Sequence, residues 1–171
     1  GVMNTDNVLL SGETIDYGPC AFMDTYHPET VFSSIDHGGR YAYRNQPGIA
    51  HWNMACLAQA LVPVLADKEE NAIEIAKKAL DKFPAYFLDA NVSGMQRKLG
   101  LAAHHDDDEI LAKDFLDLLE VHQLDFTLSF RRLSELSVAA PAANVSSLVG
   151  FPSAFAGWMA RWKTRLDTED N

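Results

Sequence analysis

The chain has 171 residues, 47% of them hydrophobic, and carries a formal net charge of −10 from 14 basic and 24 acidic side chains. That is enough apolar material for one packed domain, and the acidic balance, without any basic stripe, argues against a nucleic-acid partner. No run reaches the roughly 18 consecutive apolar residues of a membrane span, and the N-terminus lacks the basic and apolar segments of a signal peptide, so neither a membrane association nor export is expected.

The first fifty residues are rich in Gly, Asp, Asn, Tyr and Pro, with only short apolar runs. Val8-Leu9-Leu10 and Thr14-Ile15 flank Ser11-Gly12-Glu13, a pattern that predicts a short β-hairpin. Antiparallel pairing would bring Asn7, before the first arm, close to Asp16, after the second. Cys20 and Cys56 stand alone, without metal-type spacing, and read as buried reduced thiols, which fits a cytoplasmic setting.

From His51 onward the texture changes. Trp52, Cys56, Leu57, Ala60, Leu61 and Val64 recur at helical spacing and predict a helix of about four turns ending near Asp67. Asp67 is then placed as the N-cap of a second helix, with Glu70 in the capping-box position and Ile73, Ala76, Leu80 and Phe83 on one face. Pro84 is expected to break or kink it, and Tyr86, Phe87, Val92, Met95 and Leu99 continue the periodicity toward Gly100. Three more amphipathic segments follow at about 107–121, 125–136 and 152–167. Residues 138–147 read as a small, polar loop and 167–171 as an acidic, frayed tail. The predicted fold is mainly α, with 1–50 bearing the chemistry and 51–171 forming a helical body within one structural domain.

In the opening segment, Asp6, Asn7 and Asp16 admit two readings. As Asx residues they satisfy backbone groups at turns. As a site, Asn7 and Asp16 supply the oxygen ligands that a Mg²⁺ ion on a nucleotide requires, and Asp6 is free to accept a proton from an attacking hydroxyl. Asn7 followed by Asp16-Tyr17-Gly18 parallels the catalytic-loop Asn and the Asp-Phe-Gly metal motif of protein kinases. The kinase base, however, lies five positions before that Asn, and Val2 stands there.

The strings GVMNTDN, TIDYGP, GRYAYRNQP and WNMACLAQAL together closely resemble the selenoprotein O (SelO/YdiU type) family, strongly over residues 1 to about 65 and more loosely beyond. The resemblance implies the helical C-lobe of a kinase-like fold and an enzyme that transfers AMP from ATP to Ser, Thr or Tyr hydroxyls of proteins. Carried over by motif, Asp6 is the proton acceptor, Asn7 and Asp16 hold Mg²⁺ or Mn²⁺, and Asp16 also approaches the nucleotide phosphates. Family members carry upstream a lobe with a Gly-rich loop, a Lys–Glu pair and phosphate-binding arginines. The chain therefore resembles a C-lobe fragment, expected to be inactive and free of bound cofactor without its N-lobe. The family setting is the bacterial cytoplasm, or the mitochondrion for a eukaryotic parent. The rival readings are a protein kinase, disfavoured by Val2, and a non-catalytic nucleotide- or partner-binding module, disfavoured by the intact Asp6, Asn7 and Asp16.

Other tempting residues have plainer explanations. Arg40 and Arg44, with Asn45 and Gln46, occupy an activation-segment position, where a structural role bonding carbonyls or carboxylates competes with substrate contact. His104-His105-Asp106-Asp107-Asp108 offers metal-ligand types, but adjacent ligands point apart and Asp before an apolar-periodic run suits a helix start. Tyr17 reads as packing, Gly18 as a backbone-conformation residue and His51 as a helix-start residue. Trp158 and Trp162, one turn apart, are placed in the core.

Overall fold

The computed structural model describes residues 1–13, 20–138 and 150–169, with side chains omitted at 137 and 138. The second arm of the expected hairpin, Asp16 with Tyr17 and Gly18, most of the 138–147 loop and the last two residues of the tail lie outside these. The described chain is mainly helical, as the periodicity predicts. Its only β pairing is an isolated antiparallel bridge, Thr25 to Asp125.

The chain divides into two compact units, one of Gly1–Phe22 and Pro28–Asp89, the other of Met23–His27 and Ala90–Asn171. In the first, a 3₁₀ turn at Thr5–Asn7 precedes a tight turn closed by the Gly12 N–H on the Leu9 carbonyl, 3.2 Å. Gly12 takes a φ of 71° there, a left-handed value that glycine adopts without a Cβ clash. Helix α1, Gln46–Leu65, packs against α2, Glu69–Leu80. α1 begins five residues earlier than the apolar pattern suggests, because Pro47 sits in its first turn, where the missing N–H costs nothing. Pro63 lies near its C-terminus, and Ala66 is extended. By length and hydropathy alone, Tyr43–Leu65 meets the test for a membrane-crossing helix, with a mean hydropathy of 1.3. The consecutive-run criterion missed this because Asn45, Gln46, His51, Asn53 and Gln59 interrupt the stretch.

The capping expectation at Asp67 needs correction. The N-cap of α2 is Lys68, and no side chain caps it, because Lys68 itself takes the extended conformation that marks the helix boundary. Pro84 does not break a helix either. The break falls at 81–82, and Pro84 occupies the first turn of α3, Phe83–Lys98. Neither cysteine is buried, Cys20 being exposed and Cys56 half-buried, and they are not joined to each other. A flanking segment without a core around it accounts for Cys20.

In the second unit α3 ends on Gly100, φ 78°, with the Leu101 N–H returning to the Gln96 carbonyl at 2.9 Å, a Schellman-type close. Helices α4, Asp108–Val121, and α5, Phe126–Val138, follow, then a 3₁₀ turn at Ser153–Phe155 leading into α6, Ala156–Leu166. Asp125 Oδ1 accepts the Leu128 N–H at 2.7 Å and so caps α5. The core centres on Phe115, fully buried, with the rings of Phe130, Phe151, Phe155 and Trp158 between 4.6 and 6.2 Å away. Trp158 and Trp162 stack at 5.8 Å. Each indole N–H donates to a carbonyl at 2.8 Å, Trp158 to Leu111 and Trp162 to Leu99. Two large rings are thus buried without an orphaned donor.

Candidate functional site

Of the three candidate site residues, the two that can be described, Asp6 and Asn7, occupy consecutive positions of the 3₁₀ turn. The turn is closed by the Asn7 N–H on the Asn4 carbonyl, 2.9 Å. Both side chains are exposed. Asn7 Nδ2 donates to the Val2 carbonyl at 3.3 Å. With the amide nitrogen so engaged, the carboxamide oxygen is the atom left to meet a cation. Asp6 forms no ion pair among the described residues and stands open to solvent, as a proton acceptor must before substrate arrives. Asp16, the expected second metal ligand, lies outside the described residues.

Two residues that motif reading did not single out hold this turn from behind. Tyr41 donates its hydroxyl to Asn4 Oδ1 at 3.3 Å. Asn53, 4% exposed in the middle of α1, donates Nδ2 to the Met3 carbonyl at 3.1 Å. Asn53 lies within the WNMACLAQAL string, yet its partner is 50 positions away, and nothing local in the sequence announces such a bond. Below them, Asp36 accepts the N–H groups of Arg40 at 2.8 Å and Tyr41 at 2.9 Å, which orders the segment that carries Tyr41.

Of the two arginines of this segment, Arg44 makes the carboxylate bond that a structural role implies and Arg40 does not. Arg44 pairs with Glu29 at 2.6 Å across an exposed surface, where such a pair contributes little. Arg40 places its guanidinium 4.8 Å from the centre of the Trp52 ring, a cation–π contact rather than a bond to a carboxylate. His51 stacks on Phe83 at 5.0 Å.

The His104–Asp108 run holds no metal-type cluster among the described residues. Asp107 takes the N-cap position of α4 without a side-chain cap bond. Asp108, 2% exposed, instead turns inward. It accepts from Arg165 Nε at 2.8 Å, Gln96 Nε2 at 2.8 Å and the His105 N–H at 3.0 Å. Burial pushes its carboxyl up, but the hydrogen bonds from Arg165, Gln96 and His105 and the Arg165 charge hold it below the ordinary range. Arg165 also reaches the Ala103 carbonyl and Glu169, and Glu169 accepts from the backbone of Ala102 and Ala103. Every strong partner in this cluster is already satisfied, so it ties the start of α4 to the end of α6 and leaves little for a ligand.

The whole chain, residues 1–171, matches the family described as protein adenylyltransferase SelO. Curated relatives named protein nucleotidyltransferase YdiU include one from Bradyrhizobium sp. (strain ORS 278), 51% identical over 169 residues, 99% of this chain and 34% of the relative. One from Rhodopseudomonas palustris (strain HaA2) is 50% identical over 99% of this chain and 35% of its own length. One from Geobacillus kaustophilus (strain HTA426) is 51% identical over 170 residues, again 34% of the relative. The chain thus spans about a third of the length of the curated relatives it matches.

Proposed function

The chain belongs to the protein adenylyltransferase SelO family, and on that premise we propose that the protein transfers AMP from ATP to Ser, Thr or Tyr hydroxyls of other proteins. The observation that carries this reading is the 3₁₀ turn, which presents Asp6 and Asn7 side by side, exposed and backed by a bonded scaffold. Asp6 accepts the proton of the attacking hydroxyl. The hydroxyl oxygen forms a bond to the α-phosphorus as the bond from that phosphorus to the β-bridging oxygen breaks, and pyrophosphate leaves. Asn7, through its carboxamide oxygen, and Asp16 would hold Mg²⁺ or Mn²⁺, which would supply charge neutralisation at the phosphates. By motif, Asp16 would also approach the nucleotide phosphates.

The donor set fits a hard cation that keeps several waters: one carboxamide oxygen and one carboxylate, with phosphate oxygens to complete the shell. The 171 residues alone are proposed to be inactive, because the cationic groups that grip the triphosphate in this family are not among the residues described at the turn. The setting is proposed to be the bacterial cytoplasm.

The test is a transfer assay on the full-length protein with ATP labelled at the α or the γ phosphate. Label from the α position should appear on protein, and Asp6→Ala should lower the rate by about 10²- to 10⁴-fold, with Asp16→Ala also inactive. Transfer of γ label alone would make the protein a kinase. Binding without transfer of either label would make it a scaffold. The same assay on the 171-residue chain should show no transfer.

A further inference from the structure

The backbone just before Asp6 is held at three successive carbonyls. Val2 accepts from Asn7 Nδ2, Met3 from Asn53 Nδ2 and Asn4 from the Asn7 N–H. Two of these bonds are internal to the turn and fix only its own shape. The Asn53 bond attaches it to α1, a twenty-residue helix whose backbone cannot shift locally without breaking its own ladder. The Tyr41 hydroxyl adds a second, exposed contact at Asn4.

Packing does not replace that bond. A cavity of about 310 Å³ lies beside the turn, lined by Thr5, Val8 and Leu10 on one side and by Asn53, Cys56 and Leu57 of α1 on the other. A turn bordered by open space has room to move once its polar anchor is cut. The anchor is also an unusual occupant of its position. Asn53 is 4% exposed, and its Oδ1 has no partner among the described residues. Since the Met3 carbonyl can only accept, the amide nitrogen must face it, and the buried oxygen is left unpaired. A leucine of similar size would fill the space without that penalty. The amide is therefore explained by its bond and not by packing.

We propose that Asn53 is the positioning residue of the transfer site: through the Met3 carbonyl it sets where the Asp6–Asn7 turn stands relative to α1. The proposal rests on the adenylyl-transfer reading for its consequence in rate, but not for the anchoring itself. A displacement of the base by about 1 Å is enough to lower a rate on the order of 10²-fold. Asn53 touches neither nucleotide nor hydroxyl, so its loss should appear in kcat while KM for ATP stays within about twofold, since Asn53 supplies no binding contact.

The experiment uses two variants and two readouts. In the full-length protein, Asn53→Leu should lower kcat about 10- to 100-fold at every pH. Asn53→Asp places an isosteric carboxyl at the carbonyl. Ionised, it cannot donate; protonated, it can. Burial beside a carbonyl raises a carboxyl's pKa, so the ratio of N53D to wild-type kcat should climb as pH is lowered from 8 toward about 5, while the N53L ratio stays flat. In the 171-residue chain, backbone order parameters at residues 4–7 should fall in N53L from rigid values near 0.85 toward about 0.6. Unchanged order parameters overturn the anchoring whatever the activity. Lowered order parameters with wild-type kcat, or an N53D ratio that is flat with pH, overturn the positioning role. A wild-type protein that transfers no α label defeats the functional reading instead and leaves the anchoring to be judged by the order parameters alone.

Discussion

The two units of this chain are built on different principles. The second buries Phe115, Leu119, Phe155, Trp158, Met159 and Trp162 in a continuous aromatic and aliphatic core, and closes it with an ion pair whose side chains are 10% and 1% exposed. The first, which carries the candidate chemistry, buries among its described residues only small apolar side chains, Ala42, Ala72 and Ala76, together with the amide of Asn53. Its longest helix keeps Trp52 45%, Leu61 40% and Val64 78% exposed. Buried apolar packing is therefore concentrated in one unit and the candidate chemistry in the other. A region with few buried apolar contacts opens at lower free energy than a region with many.

The most severe way to break this contrast is to hollow out the second unit. Phe115→Ala removes the ring around which four others are arranged, and should cost about 4 kcal/mol, in the range for a buried aromatic truncated to alanine. Urea unfolding followed by hydrogen exchange should show the loss in residues 90–138 and 150–166, with protection at residues 46–80 changed far less. An equal loss of protection in α1 and α2 would mean that the two units unfold as one and that the contrast is only geometric.

The ion pair is next in size. Arg165→Met leaves the Asp108 carboxyl buried without its charged partner, and should cost about 3 kcal/mol. The pair also makes a pH prediction. Because the carboxyl of Asp108 is held below its ordinary value of 3.8 when folded, it binds its proton more readily in the unfolded chain. Its contribution is then full above about pH 5 and is lost as the pH falls through the lowered folded value. Asp108→Asn should flatten the acid limb of the stability curve between about pH 4 and 2. An unaltered acid limb in that variant would assign the loss to other carboxylates.

How much of this was legible in the sequence depends on how far apart the interacting residues lie. Periodicity placed α4 and α5 within a residue or two, because an amphipathic stripe is a local property and the core-facing positions Leu111, Phe115 and Leu119 repeat at helical spacing, whereas the segment expected at 152–167 takes in the 3₁₀ turn Ser153–Phe155 and α6 itself starts only at Ala156. The WNMACLAQAL helix was found, but its start was set too late, since the apolar pattern was followed only from His51 while the helix begins at Gln46 with Pro47 in its first turn. The Asp108 run reads as a helix start, but what Asp108 does there was invisible: its partner Arg165 lies 57 positions away. At the candidate site, the identity of Asp6 and Asn7 was readable from motif, whereas the Asn53 and Tyr41 supports depend on contacts 50 and 37 positions apart. Motif names the candidate groups. Only the fold names what holds them still.

The smallest effect tests the contrast at two helix starts that look alike on paper. Asp67 and Asp125 each precede an amphipathic helix, and each would be chosen as an N-cap from sequence. In the structure Asp125 Oδ1 accepts the Leu128 N–H at 2.7 Å, while Asp67 stands one residue outside Lys68, the N-cap of α2, which receives no side-chain cap bond. Asp125→Ala should therefore lower stability by about 1 kcal/mol. Asp67→Ala should change it by no more than about 0.5 kcal/mol, the ordinary range for an exposed substitution that breaks nothing. Both can be read from helix-resolved hydrogen exchange, which reports α5 and α2 separately. Equal losses would show that the carboxylate at Asp67 acts through the helix dipole without any cap bond. The start of α2 would then be as well supported as that of α5, and the weakness of the first unit would have to lie in its core alone.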